Sequence, residues 1–112
     1  DLGATFFAAF DGEILAGVSM LDTIWRGAAR DLLSLGLMHV GRDYRRRGVG
    51  TRLFEQARDA ARERGARGLY VSATPSENTI RFYLRRGCVV LAMPDPELFA
   101  LEPEDIHLEC AV

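Results

Sequence analysis

Between Val40 and Thr51 the chain changes its period, and that change limits what it can fold into more than any other feature of its 112 residues. Upstream, Asp31 to Val40 (DLLSLGLMHV) is a continuous apolar run of strand length, as expected for a strand buried on both faces. Downstream, in TRLFEQARDAARERG, Leu53, Phe54, Ala57, Ala60 and Ala61 recur three and four residues apart, while Glu55, Arg58, Asp59 and Arg62 take the other face. That spacing predicts an amphipathic helix ending at Gly65, a residue suited to the position just past a helix C-terminus. The segment between them, GRDYRRRGVG, is a polar loop rich in arginine and glycine.

The flanking segments complete the pattern. Residues from Thr5 to Phe10 and from Ile14 to Ile24 read as strands, and Asp11-Gly12-Glu13 between them is a hairpin signal. Residues 26 to 30 read as a loop. Gly36, inside the third strand, predicts a bulge or a close backbone approach. Leu69 to Thr74 reads as a buried strand. Thr74 as N-cap, Pro75 at the first helical position and Glu77 predict a capping box opening a second helix that runs to Gly87. Residues 88 to 93 read as a strand, 94 to 104 as a proline-containing loop and 105 to 112 as a last strand. The order βββαβαββ predicts an α+β fold: a mixed, mostly antiparallel sheet of about six strands with two helices against it.

Composition bounds the function. With 48% apolar residues and a formal net charge of -2, the chain is a single folding domain over residues 1 to 112 rather than a disordered tail. No apolar run reaches the roughly 18 to 20 residues needed to cross a bilayer and nothing resembles a signal peptide, so the reading is cytoplasmic with no membrane partner. Near-neutral balance speaks against a general nucleic-acid binder. Yet all 14 basic residues are arginine, and four fall between Arg42 and Arg47, a local excess that calls for a local anion. Cys88 and Cys110 lack metal-ligand spacing, and no metal is expected. A hairpin of the last two strands would set them roughly opposite each other, and free thiols are the expectation, since cytosolic redox poise disfavours the bond.

The Arg45-Arg46-Arg47-Gly48-Val49-Gly50 loop carries the chemistry. Backbone N–H groups at a helix N-terminus point one way, and the helix dipole adds about half a positive charge there. Phosphate oxygens suit such a place, although a solvated turn with a charge run would read the same in isolation. A Walker loop is excluded because Thr51-Arg52 follows Gly50 where Lys-Ser/Thr is required. A dinucleotide fingerprint is excluded because Leu53 stands where a third glycine is needed.

Here the chain resembles the GNAT superfamily of acetyl-CoA-dependent N-acetyltransferases. The motif Q/R-x-x-G-x-G/A appears as Arg45, Gly48 and Gly50 after a strand. The motif F-Y-x-x-x-G-F appears as Phe82-Tyr83-Leu84-Arg85-Arg86-Gly87-Cys88, with Cys88 replacing the final Phe and Gly50 and Phe82 lying 32 residues apart. The resemblance implies a three-layer, GNAT-like acyltransferase fold that here lacks the usual N-terminal strand and helices, making the domain incomplete at its N-terminus. It implies acetyl-CoA as co-substrate, held by Met38, Val40, Arg45, Arg46, Arg47, Gly48, Val49, Gly50, Thr51, Ser76 and Phe82. Ser76 stands where the family often has Asn.

The same resemblance makes Tyr83 the catalytic acid at the departing thiolate, with a backbone N–H near Val40 at the developing oxyanion and an amine, small-molecule or peptide, as acceptor. A lysine-like amine has a pKa near 10.4, so freeing it at pH 7 costs roughly 4 to 5 kcal/mol. No carboxylate lies between Leu32 and Val40 to take that proton, which leaves His39 or, preferably, water. Asp95, Glu97, Glu102, Glu104, Asp105 and Glu109 form an acidic C-terminal stretch that is either a solvated loop or the rim of a cationic acceptor's cleft. His107 reads as structural. A catalytically silent coenzyme-A-binding module is the competing reading. The bare first strand with Phe6, Phe7 and Phe10 predicts a homodimer.

Overall fold

In the computed structural model, which describes residues 3–112, the chain builds a six-stranded mixed sheet and three α-helices. Thr5–Asp11 (β1) and Ile14–Arg26 (β2) form the antiparallel hairpin, with Gly12 at φ 62° in its turn. Leu32–Val40 (β3) runs antiparallel to β2 and parallel to Gly68–Ala73 (β4). The two-residue strand Val89–Val90 (β5) forms the far edge, paired with Ile106–Ala111 (β6), which is in turn antiparallel to β4. The sheet order is β1-β2-β3-β4-β6-β5.

The helix Val49–Glu63 (α1) makes the crossover that the single parallel pair requires. Its Phe54, Ala57 and Ala61 are fully buried in one cluster with Leu21, Leu33, Leu35, Leu69 and Val71, and the equally buried Leu53 lies over Gly17 of β2. A second helix, Glu77–Leu84 (α2), joins this face by setting Phe82 and Tyr83 against Phe54, with ring centroids 6.2 and 6.0 Å away. Strand alternation puts Tyr70 and His107 on the opposite face. There the third helix, Pro96–Leu101 (α3), brings Phe99 to within 5.8 Å of the His107 ring, completing three layers.

Four readings from sequence are corrected. The N-cap of α2 is Ser76, not Thr74: Ser76 is extended and its Oγ accepts from the Thr79 N–H, so the hydroxyl nearer the helix displaces the capping box. Residues 94 to 104 are not all loop but contain α3, so the helices number three. Asp95 caps it by accepting from the Glu97 and Leu98 N–H groups, and Pro96 sits in the first turn. The strand expected over 88 to 93 shrinks to Val89–Val90. Finally, Cys88 and Cys110 are joined in a disulfide rather than free. The Val89↔Glu109 register brings them opposite each other, buried, with Cα atoms 4.1 Å apart.

Gly36 behaves as its position in the strand predicts. Met20 pairs with Leu37 and Leu21 with Leu35, so the register steps over Gly36 in a bulge.

Candidate functional site

The parallel pairing of β3 with β4 ends at Leu35↔Val71, whereas β3 stays on β2 as far as Val40. Beyond the Gly36 bulge, the edge of β3 that faces β4 therefore has no strand partner. The N-terminus of α1 and the length of α2 flank this notch, forming a cleft of about 830 Å³. Its walls include Met38, His39 and Val40 from β3 and Tyr44, Arg45, Arg46, Gly48, Gly50 and Thr51 from the loop and α1. Ser76, Asn78, Thr79, Arg81, Phe82, Tyr83, Arg85 and Arg86 complete it. Five arginines and no carboxylate line it, so its field favours a multiply charged anion.

The first half of the loop is pinned to the neighbouring strands. The Gly41 N–H donates to the Ala16 carbonyl at 2.8 Å, and a 3-10 turn over Arg42–Tyr44 places the Tyr44 hydroxyl 2.9 Å from the Asp11 carboxylate it donates to. Arg45 donates from Nε to the Val40 carbonyl at 3.4 Å. Arg46 then takes a left-handed conformation at φ 67°, unfavourable for a residue with a Cβ, and Gly48 takes another at φ 82°.

Gly48 is the N-cap of α1. It supplies no side-chain cap, and the first turn contains no acidic residue. The first N–H groups of a long helix are thus left without a side-chain acceptor where the macrodipole is positive. A Cβ at Gly48 would meet nothing within 4 Å, so its space is open. A Cβ at Gly50 would lie 3.4 Å from both Phe82 and Val40, so this glycine instead lets α1 close onto β3 and α2.

Tyr83, on α2, is 6% exposed and lines the cleft. Burial pushes its pKa up to about 12, opposed weakly by the positive charge of Arg86. The phenol is therefore protonated throughout the neutral range.

Of the residues expected at the site, Met38, Val40, Arg45, Arg46, Gly48, Gly50, Thr51, Ser76, Phe82 and Tyr83 converge on this cleft. Arg47 and Val49 do not: they line a separate cavity of about 470 Å³ toward β1, where the Arg47 guanidinium lies 5.6 Å from the Tyr44 ring centroid. The Ser76 hydroxyl is engaged in capping α2. Asn78, Thr79, Arg81, Arg85 and Arg86 were not anticipated. For all but Arg81, three- or four-residue spacing from Phe82 was the available signal, since it puts Asn78, Phe82 and Arg85 on one helix face.

No acidic residue of the C-terminal stretch lines the cleft. Asp95 and Glu97 pair with the buried Arg26, Asp105 accepts from Ser72 and Glu109 pairs with Arg67. His107 is buried in a hydrogen-bond chain. The Tyr70 hydroxyl accepts from the Asp95 N–H at 2.9 Å and lies 2.6 Å from His107 Nδ1, while His107 Nε2 lies 3.1 Å from the Glu102 carbonyl. A carbonyl can only accept, so Nε2 carries a hydrogen toward Glu102.

Comparison with known proteins bears on the family and the fold. A family model described as the Acetyltransferase (GNAT) family matches residues 1–88. A nourseothricin acetyltransferase structure superposes with a TM-score of 0.78 at 24% identity, over 99% of this chain and 66% of that one. An acetyltransferase from Bacillus anthracis, solved with acetyl coenzyme A, gives 0.77 at 20% identity, over 97% of this chain and 63% of that one. The PaiA N-acetyltransferase from Thermoplasma acidophilum, solved with coenzyme A, gives 0.75 at 18%, over 97% and 61%. The chain spans less than two thirds of the length of these three structures. No curated protein matches it significantly.

Proposed function

The chain belongs to the GNAT acetyltransferase family, and from that premise we propose that it transfers an acetyl group from acetyl-CoA to an amine by direct attack, both substrates being bound together. The observation that carries the reading is the uncapped N-terminus of α1, opening into a cleft lined by five arginines and no carboxylate and reaching Tyr83. A diphosphate fits that end. The open space at Gly48, the unsatisfied N–H groups and the flanking Arg45 and Arg46 suit a group with several anionic oxygens. The solved structures that hold acetyl coenzyme A or coenzyme A on this fold support the same assignment.

Each element of the cleft then has a part. The amides of Gly48 to Thr51, with Arg45 and Arg46, hold the diphosphate. The unpaired edge of β3 between Leu37 and Val40 offers main-chain groups to the pantetheine arm and one N–H to the thioester oxygen as it gains charge. Tyr83, protonated and desolvated, donates a proton to the sulfur as the C–S bond breaks and the N–C bond forms. The amine's own proton passes to water, with His39 on the cleft wall as the alternative acceptor, since no carboxylate lines the cleft. Among the described residues no helix is long and apolar enough to cross a membrane.

The test is release of free thiol from acetyl-CoA against a panel of amines, with calorimetric binding of coenzyme A alongside. Turnover with at least one amine supports the reading. Tight coenzyme A binding with no turnover on any amine would reduce the chain to a cofactor-binding module, and no binding at millimolar coenzyme A would refute the site.

A further inference from the structure

Arg86 bridges the C-terminus of one helix and the N-terminus of another. It lies just beyond the C-terminus of α2, yet its guanidinium reaches back across the seam to the first turn of α1. Nη1 donates to the Phe82 carbonyl at 2.7 Å, Nη2 donates to the Thr51 hydroxyl, and the guanidinium carbon stacks 3.7 Å from the Phe82 ring centroid. The Phe82 ring is one of the groups that a Cβ on Gly50 would touch. Arg58, from the middle of α1, in turn donates to the Arg86 carbonyl at 3.4 Å.

The bond to the Phe82 carbonyl is the favourable cap of a helix C-terminus, but toward α1 the placement is electrostatically unfavourable. A cation beside a helix N-terminus opposes the macrodipole, and this terminus has neither an acidic residue nor a side-chain cap to offset it. The guanidinium is also partly desolvated, and its Nε is buried without a partner. Such an arrangement becomes favourable when an anion occupies the terminus. It then joins the two halves of the site, because Thr51 belongs to the turn that holds the anion and Phe82 precedes Tyr83.

We propose that Arg86 is a positioning residue that locks the anion-binding N-terminus of α1 to α2, so that diphosphate binding and the placement of Tyr83 are set together. The consequence for catalysis rests on the acetyl-CoA reading of the cleft; the lock itself does not.

Amide exchange on the free protein tests the lock without a ligand. Arg86→Met and Thr51→Val should each speed exchange at Arg52, Leu53 and Phe54 about tenfold, as loss of one hydrogen bond predicts. The double variant should be no faster than either, and the far end of α1 should be unchanged. Unaltered exchange in the first turn, or additive effects, would overturn the proposal, as would loosening along the whole helix.

Kinetics then test the coupling. Arg86→Met should raise KM for acetyl-CoA and lower kcat, each by about tenfold, and Thr51→Val should move both in the same direction without further loss in the double variant. Arg86→Lys, which keeps the charge but cannot span Phe82 and Thr51, should resemble Met. Full rescue by lysine would show that charge on the ligand is what matters and would overturn the positioning role. Failure of the wild type to bind coenzyme A would refute the proposed function, and the exchange experiment would still decide the lock.

Discussion

Tyr83 shows how one buried side chain ties chemistry to stability. Its pKa is raised above the ordinary value of 10.0 to about 12, so the folded protein holds that proton more tightly than the unfolded chain. The contribution is complete below pH 10 and is lost as pH rises from 10 through 12, a change of about 3 kcal/mol. Denaturation midpoints of the wild type and Tyr83→Phe, compared from pH 8 to 12, should run parallel up to pH 10 and converge or cross above it; parallel curves throughout would mean the phenol is not buried. In turnover the same variant should lose about a hundredfold in kcat with coenzyme A affinity nearly intact. At Gly48 the cost is conformational: Gly48→Ala should destabilise by about 1 to 2 kcal/mol, the left-handed penalty, and weaken coenzyme A binding, both readable from thermal melts with and without the ligand. Gly48 and Tyr83 were legible because each sits in a local motif. Arg86 was not, because its meaning depends on Thr51, 35 residues away.

Among the elements, the C-terminal third departs most from its sequence reading. Its acidic residues resemble a solvated loop, but Asp95 alone caps α3, pairs with the buried Arg26 at 3.5 Å and offers its N–H to Tyr70. Asp95→Ala should therefore cost more than the roughly 1 kcal/mol of a lost cap. With Arg26 left short of a partner, about 2 to 4 kcal/mol is expected from urea denaturation. The Cys88–Cys110 disulfide ties the segment after α2 to β6 and closes a loop of 22 residues in sequence separation. Its reduction should lower stability by about 3 kcal/mol. Thiol titration of the unfolded, unreduced protein should find no reactive groups, and two reactive thiols would contradict the bond.

At the scale of the whole molecule, β1 and β5 are the open edges of the sheet. On β1, Phe7 packs toward the core while Phe6 and Phe10 remain 60% and 65% exposed, beside Ile14 and Leu15 of β2 at 59% and 52%. An exposed apolar edge of this kind is a template for pairing with a second chain. A homodimer through β1 is the expected state, and Phe6→Lys with Phe10→Lys should dissociate it without lowering helix content. Sedimentation of the wild type as a clean monomer at tens of micromolar would contradict the expectation.

The local order of strands and helices was readable from the sequence because period and punctuation are properties of neighbouring residues. The run Leu32 to Val40, the helical spacing after Gly50, the Asp-Gly turn and the interior glycine at 36 each act within a few residues of themselves. Tertiary structure decided whatever depends on two distant segments meeting. It set where β3 leaves β4, turned Arg47 and Val49 away from the cleft, drew the C-terminal carboxylates onto Arg26 and Arg67, and brought Cys88 onto Cys110. Side-chain chemistry states what a residue can do, but the partner that makes it do so is supplied by register and packing, which only the assembled sheet fixes.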